Sequence, residues 1–94
     1  MVSVTEATEL PTVSGHARER FLFRSDAAGR TVETAWHEGH EIPGRDWLRG
    51  EEARYDPASR CVLVVRDGKI RTAIYAPDAK HAIRRAIRHA GWWP

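Results

Sequence analysis

Apolar positions at helical spacing come first along the chain. Ala17 and Phe21 recur at i, i+4 with Leu22 on the flank, which predicts an amphipathic helix that buries this stripe. Ser14 stands where its hydroxyl can accept from an orphan amide of the first turn. His16, Arg20 and Arg24 form a neighbouring polar stripe along the helix edge. After Gly29, a second short helix is expected from Arg30 to Glu38, burying Val32, Ala35 and Trp36, with Gly39 as a left-handed C-cap. Residues 1–13 have no helical period and read as a tail or short edge strand. Ile42 to Gly50 holds a proline and two glycines and reads as a loop that Trp47 and Leu48 pin to the body.

The period then changes. Arg60–Arg66 and Lys69–Tyr75 are β-rich runs joined by Asp67-Gly68, a pair that supplies the positive φ angles of a two-residue type I′ turn. The register sets Arg66 opposite Lys69 and continues one for one to Arg60 opposite Tyr75. Alternation places Cys61, Leu63, Val65, Ile70, Thr72 and Ile74 on a core face. Arg60, Val62, Val64, Arg66, Lys69, Arg71, Ala73 and Tyr75 fall on the other, a basic face carrying a tyrosine. Glu51 to Asp56 forms a further strand, joined through Pro57-Ala58-Ser59. Pairing Asp56 with Arg60 points Ala53 and Tyr55 into the core, and a loop one residue longer flips them. Pro77-Asp78 opens a last helix with the apolar stripe Ala79, Ala82, Ile83, Ala86, Ile87 and Ala90. Gly91 suits its C′ position, and Trp92 can fold back on Ile87 in a Schellman motif.

These elements define an α+β fold: two N-terminal helices packed on a small antiparallel sheet, plus a C-terminal amphipathic helix. The expected organisation is one domain over residues 14–94, preceded by the segment 1–13. Ninety-four residues with 41% hydrophobic and 30% charged content suffice for one modest core. No apolar run reaches the roughly 18 residues of a membrane span, and the first residues lack the basic and apolar regions of a signal peptide. With a single cysteine, Cys61, the expected location is the cytoplasm.

Charge sharpens the picture. The net charge is only +2, yet residues 1–59 carry seven arginines against eleven acids, and residues 60–94 carry eight cations against Asp67 and Asp78. A basic C-terminal third suits a polyanion, or is a solvated face. RNA cleavage by a ribose 2′-hydroxyl needs a base, an acid for the leaving oxygen, and cations for the charge that builds on phosphorus. Arg20, Arg24, Arg71 and Lys69 can supply cations, and His16 or Tyr75 can move protons, provided that the helix edge and the basic sheet face meet. The plainer roles stay open: His16 bonding backbone at a helix start, Tyr75 as an amphipathic strand-end residue, Arg71 packing across strands. Arg60 and Arg66 extend the surface on which RNA would lie.

Trp36-His37-Glu38-Gly39-His40-Glu41 is not a zincin motif, because the second histidine follows the first by three residues. No metal or cofactor is expected. Cys61 falls on the apolar face, where a thiol acts as a small hydrophobe. The basic last helix, ending in Trp92-Trp93, is expected to pack first, with its arginines available to RNA.

Ser14-Gly15-His16-Ala17-Arg18-Glu19-Arg20-Phe21 followed by Arg24, with Thr72-Ala73-Ile74-Tyr75 closing the strands, resembles a small branch of the RelE/ParE toxin superfamily. The likeness covers roughly residues 10–76 of the numbered sequence. It implies a barnase/RelE-like fold, endoribonuclease activity on messenger RNA and neutralisation by a cognate antitoxin protein. The positions it matches are His16, Arg20, Arg24, Thr72 and Tyr75. The helix after Pro77 and the long segment 40–50 depart from the pattern and leave open a loss of catalysis or a different partner. Two alternatives therefore stand beside an enzyme: a non-catalytic domain that binds nucleic acid or protein, and a topoisomerase inhibitor of the ParE type.

Overall fold

The computed structural model describes residues 11–44 and 52–92. The predicted positions of Trp47 and Leu48 lie outside them. The elements are β1 (Thr12–Val13), α1 (Gly15–Arg24), α2 (Val32–Glu38), β2 (His40–Glu41), β3 (Ala53–Asp56), β4 (Cys61–Arg66), β5 (Lys69–Tyr75), a 3₁₀ turn (Ala76–Asp78) and α3 (His81–His89). The fold is α+β, but the sheet is mixed, not purely antiparallel. Its order is β1-β5-β4-β3-β2, with β1 running parallel to β5 and every other pair antiparallel.

Local chemistry sets the helix ends. The Ser14 hydroxyl accepts from the Ala17 amide at 3.0 Å, and α1 begins there. Thr31 caps α2 in the same way through the Thr34 amide, so that helix starts at Val32 and Arg30 stays ahead of it. Gly39 does not end α2 in the left-handed region: its φ is −70°. Glycine is needed there for space, since a Cβ would sit 2.8 Å from the Ala35 carbonyl oxygen and 3.1 Å from the Arg54 Cβ. At the chain's end, Gly91 has φ +94°, its amide donates to Arg88, and the Trp92 amide donates to Ile87. That is the expected Schellman closure. The last helix starts later than its apolar stripe suggests, because Ala76–Asp78 take a separate 3₁₀ turn and Ala79 precedes α3.

The hairpin turn is where the sequence puts it, with Asp67 at φ 57° and Gly68 at φ 71°. The register beyond it changes. Arg66 pairs with Lys69 and Val65 with Ile70, but Val64 then pairs with Thr72 and Cys61 with Tyr75. Arg71 is the extra residue of a β-bulge, and each later residue of β5 moves to the opposite face.

The bulge corrects the predicted faces. Cys61, Leu63, Val65 and Ile70 share a core cluster with Ala17, Phe21, Val32, Ala35 and Trp36, but Ala73 joins them and Tyr75 packs at the margin. Val62 and Val64 lie in a second cluster with Ala53, Tyr55, Ile83, Ala86 and Ile87, and Ile74 packs against it. The sheet is therefore apolar on both faces, and its second face is covered by α3 instead of forming an open basic surface. The β3–β4 turn spans four residues and pairs Asp56 with Cys61. This turns Ala53 and Tyr55 to that second face, where both are still buried. Leu22, expected on the buried flank of α1, is 78% exposed, as is Phe23 at 81%.

Candidate functional site

α1 runs beside β5 in the same direction. The Ser14 amide donates to Ile70 and its hydroxyl to the Arg71 carbonyl, while at the other end Arg24 Nη1 donates to the Ala73 carbonyl at 3.1 Å. The residues singled out from sequence are consequently divided between two ends of the sheet. His16, Arg66, Lys69 and Arg71 belong to the hairpin end; Arg24, Arg60 and Tyr75 belong to the other. Arg71 and Tyr75 are four residues apart on one strand, a separation of about 13 Å. His16 and Arg20 are exposed on α1, and Thr72 is half-buried opposite Val64. Arg71 Nε donates to the Arg66 carbonyl, and its guanidinium lies 3.6 Å from Asp67.

The Tyr75 end forms a built cleft of about 480 Å³ lined by Phe23, Arg24, Ser25, Asp26, Ile74, Tyr75 and Asp78. Three chain segments meet there. Tyr75 arrives at the end of β5, and its hydroxyl donates to Asp26 Oδ2 at 2.8 Å. Asp26 follows α1 in a turn held by the Ser25 amide donating to Phe21 and the Ala27 amide donating to the Ser25 hydroxyl. Its own amide donates to the Ser59 carbonyl, which clips this turn to the β3–β4 turn. Arg60, the next residue, then reaches Asp26 Oδ2 at 3.5 Å.

Arg60 has φ 61°, a left-handed conformation that costs a residue with a Cβ roughly 1 kcal/mol relative to glycine. Its carbonyl accepts from Ala76 and its amide donates to Asp56, so the conformation is fixed from both sides. Its guanidinium lies near the hydroxyls of both Tyr55 and Tyr75. The hydrogen bond to Asp26 pushes the Tyr75 phenol above its ordinary range, aided by partial burial, so the phenol keeps its proton at neutral pH. Burial raises the Cys61 thiol to about 11, as expected of an inert core cysteine.

At the start of the β3–β4 turn, Arg30 bonds both oxygens of the buried Asp56 carboxylate, and the Ser59 hydroxyl donates to the same carboxylate at 2.6 Å. Burial disfavours the Asp56 charge, but the bonds from Arg30 and Ser59 outweigh it and hold the carboxyl below its usual range. This network shapes the turn that carries Arg60. Among the described residues there is no group of three potential metal-binding side chains. His40 leaves α2 for β2 and stacks on Trp92 with ring centroids 4.2 Å apart. No helix among the described residues is long and apolar enough to cross a membrane.

Sequence reasoning missed Asp26. It sits in an interhelical turn with no periodicity, and only the tertiary bond to Ser59 places it beside Tyr75. Nothing in its local sequence signals that contact.

Fold and cleft define a small α+β domain with one end of its mixed sheet shaped as a polar site. The family model Halo_toxin, described as "Putative RelE superfamily toxin domain", matches residues 13–77, and the chain belongs to this family. The match includes Arg24, Asp26, Arg60 and Tyr75 and ends before α3. Membership supports a toxin role and points to a cognate antitoxin as partner. Neither the curated proteins nor the solved structures contain a match.

Proposed function

We propose that this domain is the toxin of a toxin–antitoxin pair and that it cleaves RNA in the cytoplasm at the Tyr75 end of β5. In this reading residues 14–94 form one barnase/RelE-like domain, with α3 added beyond the family's span. The observation that carries it is that Arg24 and Tyr75 line one cleft, with Arg60 reaching its Asp26 from a third segment. Attack of a ribose 2′-hydroxyl on the adjacent phosphate loads negative charge onto the phosphoryl oxygens. The forked, permanently charged donors of Arg24 and Arg60 suit that charge, and the protonated Tyr75 can give its proton to the leaving 5′-oxygen. His16 and Arg20 on the open face of α1, with Arg66, Lys69 and Arg71 at the hairpin, offer contacts to the flanking backbone and remain outside the reacting centre.

Purified protein incubated with single-stranded and structured RNA tests this. The expected products carry 2′,3′-cyclic phosphate and 5′-hydroxyl ends; intact RNA after incubation with folded protein contradicts the reading. A second reading, a non-catalytic toxin that binds a protein target, is favoured by one observation: Leu22 and Phe23 are adjacent on α1 and both largely exposed. Large exposed apolar residues side by side mark contact surfaces more often than catalytic ones.

A further inference from the structure

The cleft contains a carboxylate that a purely anion-binding site would not need. Asp26 Oδ2 accepts from Tyr75 and faces Arg60, whereas Oδ1 accepts no hydrogen bond among the described residues, and the side chain is 41% exposed. Its backbone is tied down through Ser25, Ala27 and Ser59, so the carboxylate is a fixed part of the cleft. An anion next to a phosphate site is unfavourable unless the reaction uses it. His16 cannot take that part here, because it lies eight residues before Arg24 on α1, about 12 Å along the helix. Of the residues lining the cleft, only Asp26 and Asp78 can accept a proton, and Asp26 is the one joined to Tyr75.

We propose that Asp26 is the general base of the reaction, taking the proton of the attacking 2′-hydroxyl through its open oxygen. This rests on the ribonuclease reading above. The 2′-oxygen bonds to phosphorus as the bond from phosphorus to the 5′-oxygen breaks, and the electron pair leaves on the 5′-oxygen. Tyr75 donates its proton to that oxygen. The proton taken up on Asp26 is then released to solvent and the Tyr75 phenolate takes one back from water, which restores both groups and leaves a 2′,3′-cyclic phosphate and a 5′-hydroxyl. Base and acid are thus one hydrogen-bonded pair, with Arg24 and Arg60 balancing charge around it.

The test compares wild type with Asp26→Asn, Asp26→Glu and Asp78→Asn on a single-stranded RNA oligonucleotide across pH. The groups facing Asp26 are Arg24 from α1, Arg60 from the β3–β4 turn, Cys61 from β4, Tyr75 from β5 and Asp78 from the 3₁₀ turn. Arginine stays charged throughout, and Cys61 and Tyr75 are both pushed upward, so an acid limb in the rate profile reports a carboxylate. Asparagine still accepts the Tyr75 hydrogen bond but cannot take a proton. Asp26→Asn should keep its melting temperature and RNA affinity, lose cleavage by on the order of 100-fold or more, and lose the acid limb. Asp26→Glu and Asp78→Asn should both keep that limb. Asp26→Asn cleaving within a few-fold of wild type, with the limb intact, overturns the proposal and leaves Asp26 as a positioning residue for Tyr75. An inactive wild type overturns the ribonuclease reading itself, and this inference with it.

Discussion

Arg30 and Asp56 form a two-pronged ion pair, Nε to Oδ2 and Nη2 to Oδ1, both at 2.7 Å. Asp56 is 1% exposed, and the pair ties the segment ahead of α2 to the end of β3. Ser59 completes it through its hydroxyl and its amide. Arg60 therefore stands on a buried electrostatic brace.

Asp56→Ala should be among the most damaging single changes, because it removes the buried partner of Arg30, which keeps only the exposed Glu38, and leaves Ser59 without its acceptor. Removing one partner of a buried pair costs about 3–5 kcal/mol. Denaturant unfolding monitored by tryptophan fluorescence should show a loss of that size, and a loss under 1 kcal/mol would contradict the brace.

The same pair predicts how stability responds to acid. The Asp56 carboxyl is held below its usual range in the folded protein, so the folded state releases this proton more readily than the unfolded chain. The stabilisation is present above the unfolded carboxylate range near 4 and is lost as pH falls through the lower folded value. Thermal melts between about pH 7 and pH 3 should show the drop concentrated at the acid end, and Asp56→Asn should flatten it.

Asp67→Ala with Gly68→Ala should destabilise the fold by about 1–3 kcal/mol, since both residues hold positive φ. No atom lies within 4 Å of where a Gly68 Cβ would stand, so at that position the loss is one of backbone conformation alone. Gly68→Asn, which tolerates that region better, should recover part of the loss in the same unfolding measurement.

Gly39→Ala has the opposite origin. Its φ is ordinary, but the added methyl meets the Ala35 carbonyl oxygen at 2.8 Å and Arg54 at 3.1 Å. Overpacking of this kind costs about 1–3 kcal/mol. A melting temperature equal to wild type would show that α2 and β3 can separate freely, contrary to the close approach seen here.

Features fixed by neighbours in sequence were legible: the Ser14 cap, the Asp67-Gly68 turn, and the Gly91–Trp92 closure. Each is set by residues a few positions apart. The faces of β5 were not, because alternation was carried past Arg71 without a break. The sign of the bulge is a change of parity, with Ile70 and Ala73 both buried but three residues apart. The basic face failed as a prediction for the same reason, and also because α3 supplies apolar cover that makes a two-sided core of β4. The candidate site was half visible. Arg24, Arg60 and Tyr75 carried chemistry by type, but their separation from His16 and Arg71 depends on how α1 lies along β5. Asp26 depends on one backbone bond between two turns.

The most direct measurement compares the RNA cleavage rates of Tyr75→Phe and Arg71→Ala, substitutions at the two ends of β5, against wild type at neutral pH. Both side chains reach solvent, so both variants should melt close to wild type. Tyr75→Phe removes the proton donor and the partner of Asp26, and its rate should fall on the order of 100-fold. Arg71→Ala should stay within a few-fold. The reverse order, with Arg71→Ala inactive and Tyr75→Phe unaffected, would move the reacting centre to the hairpin end and contradict the account.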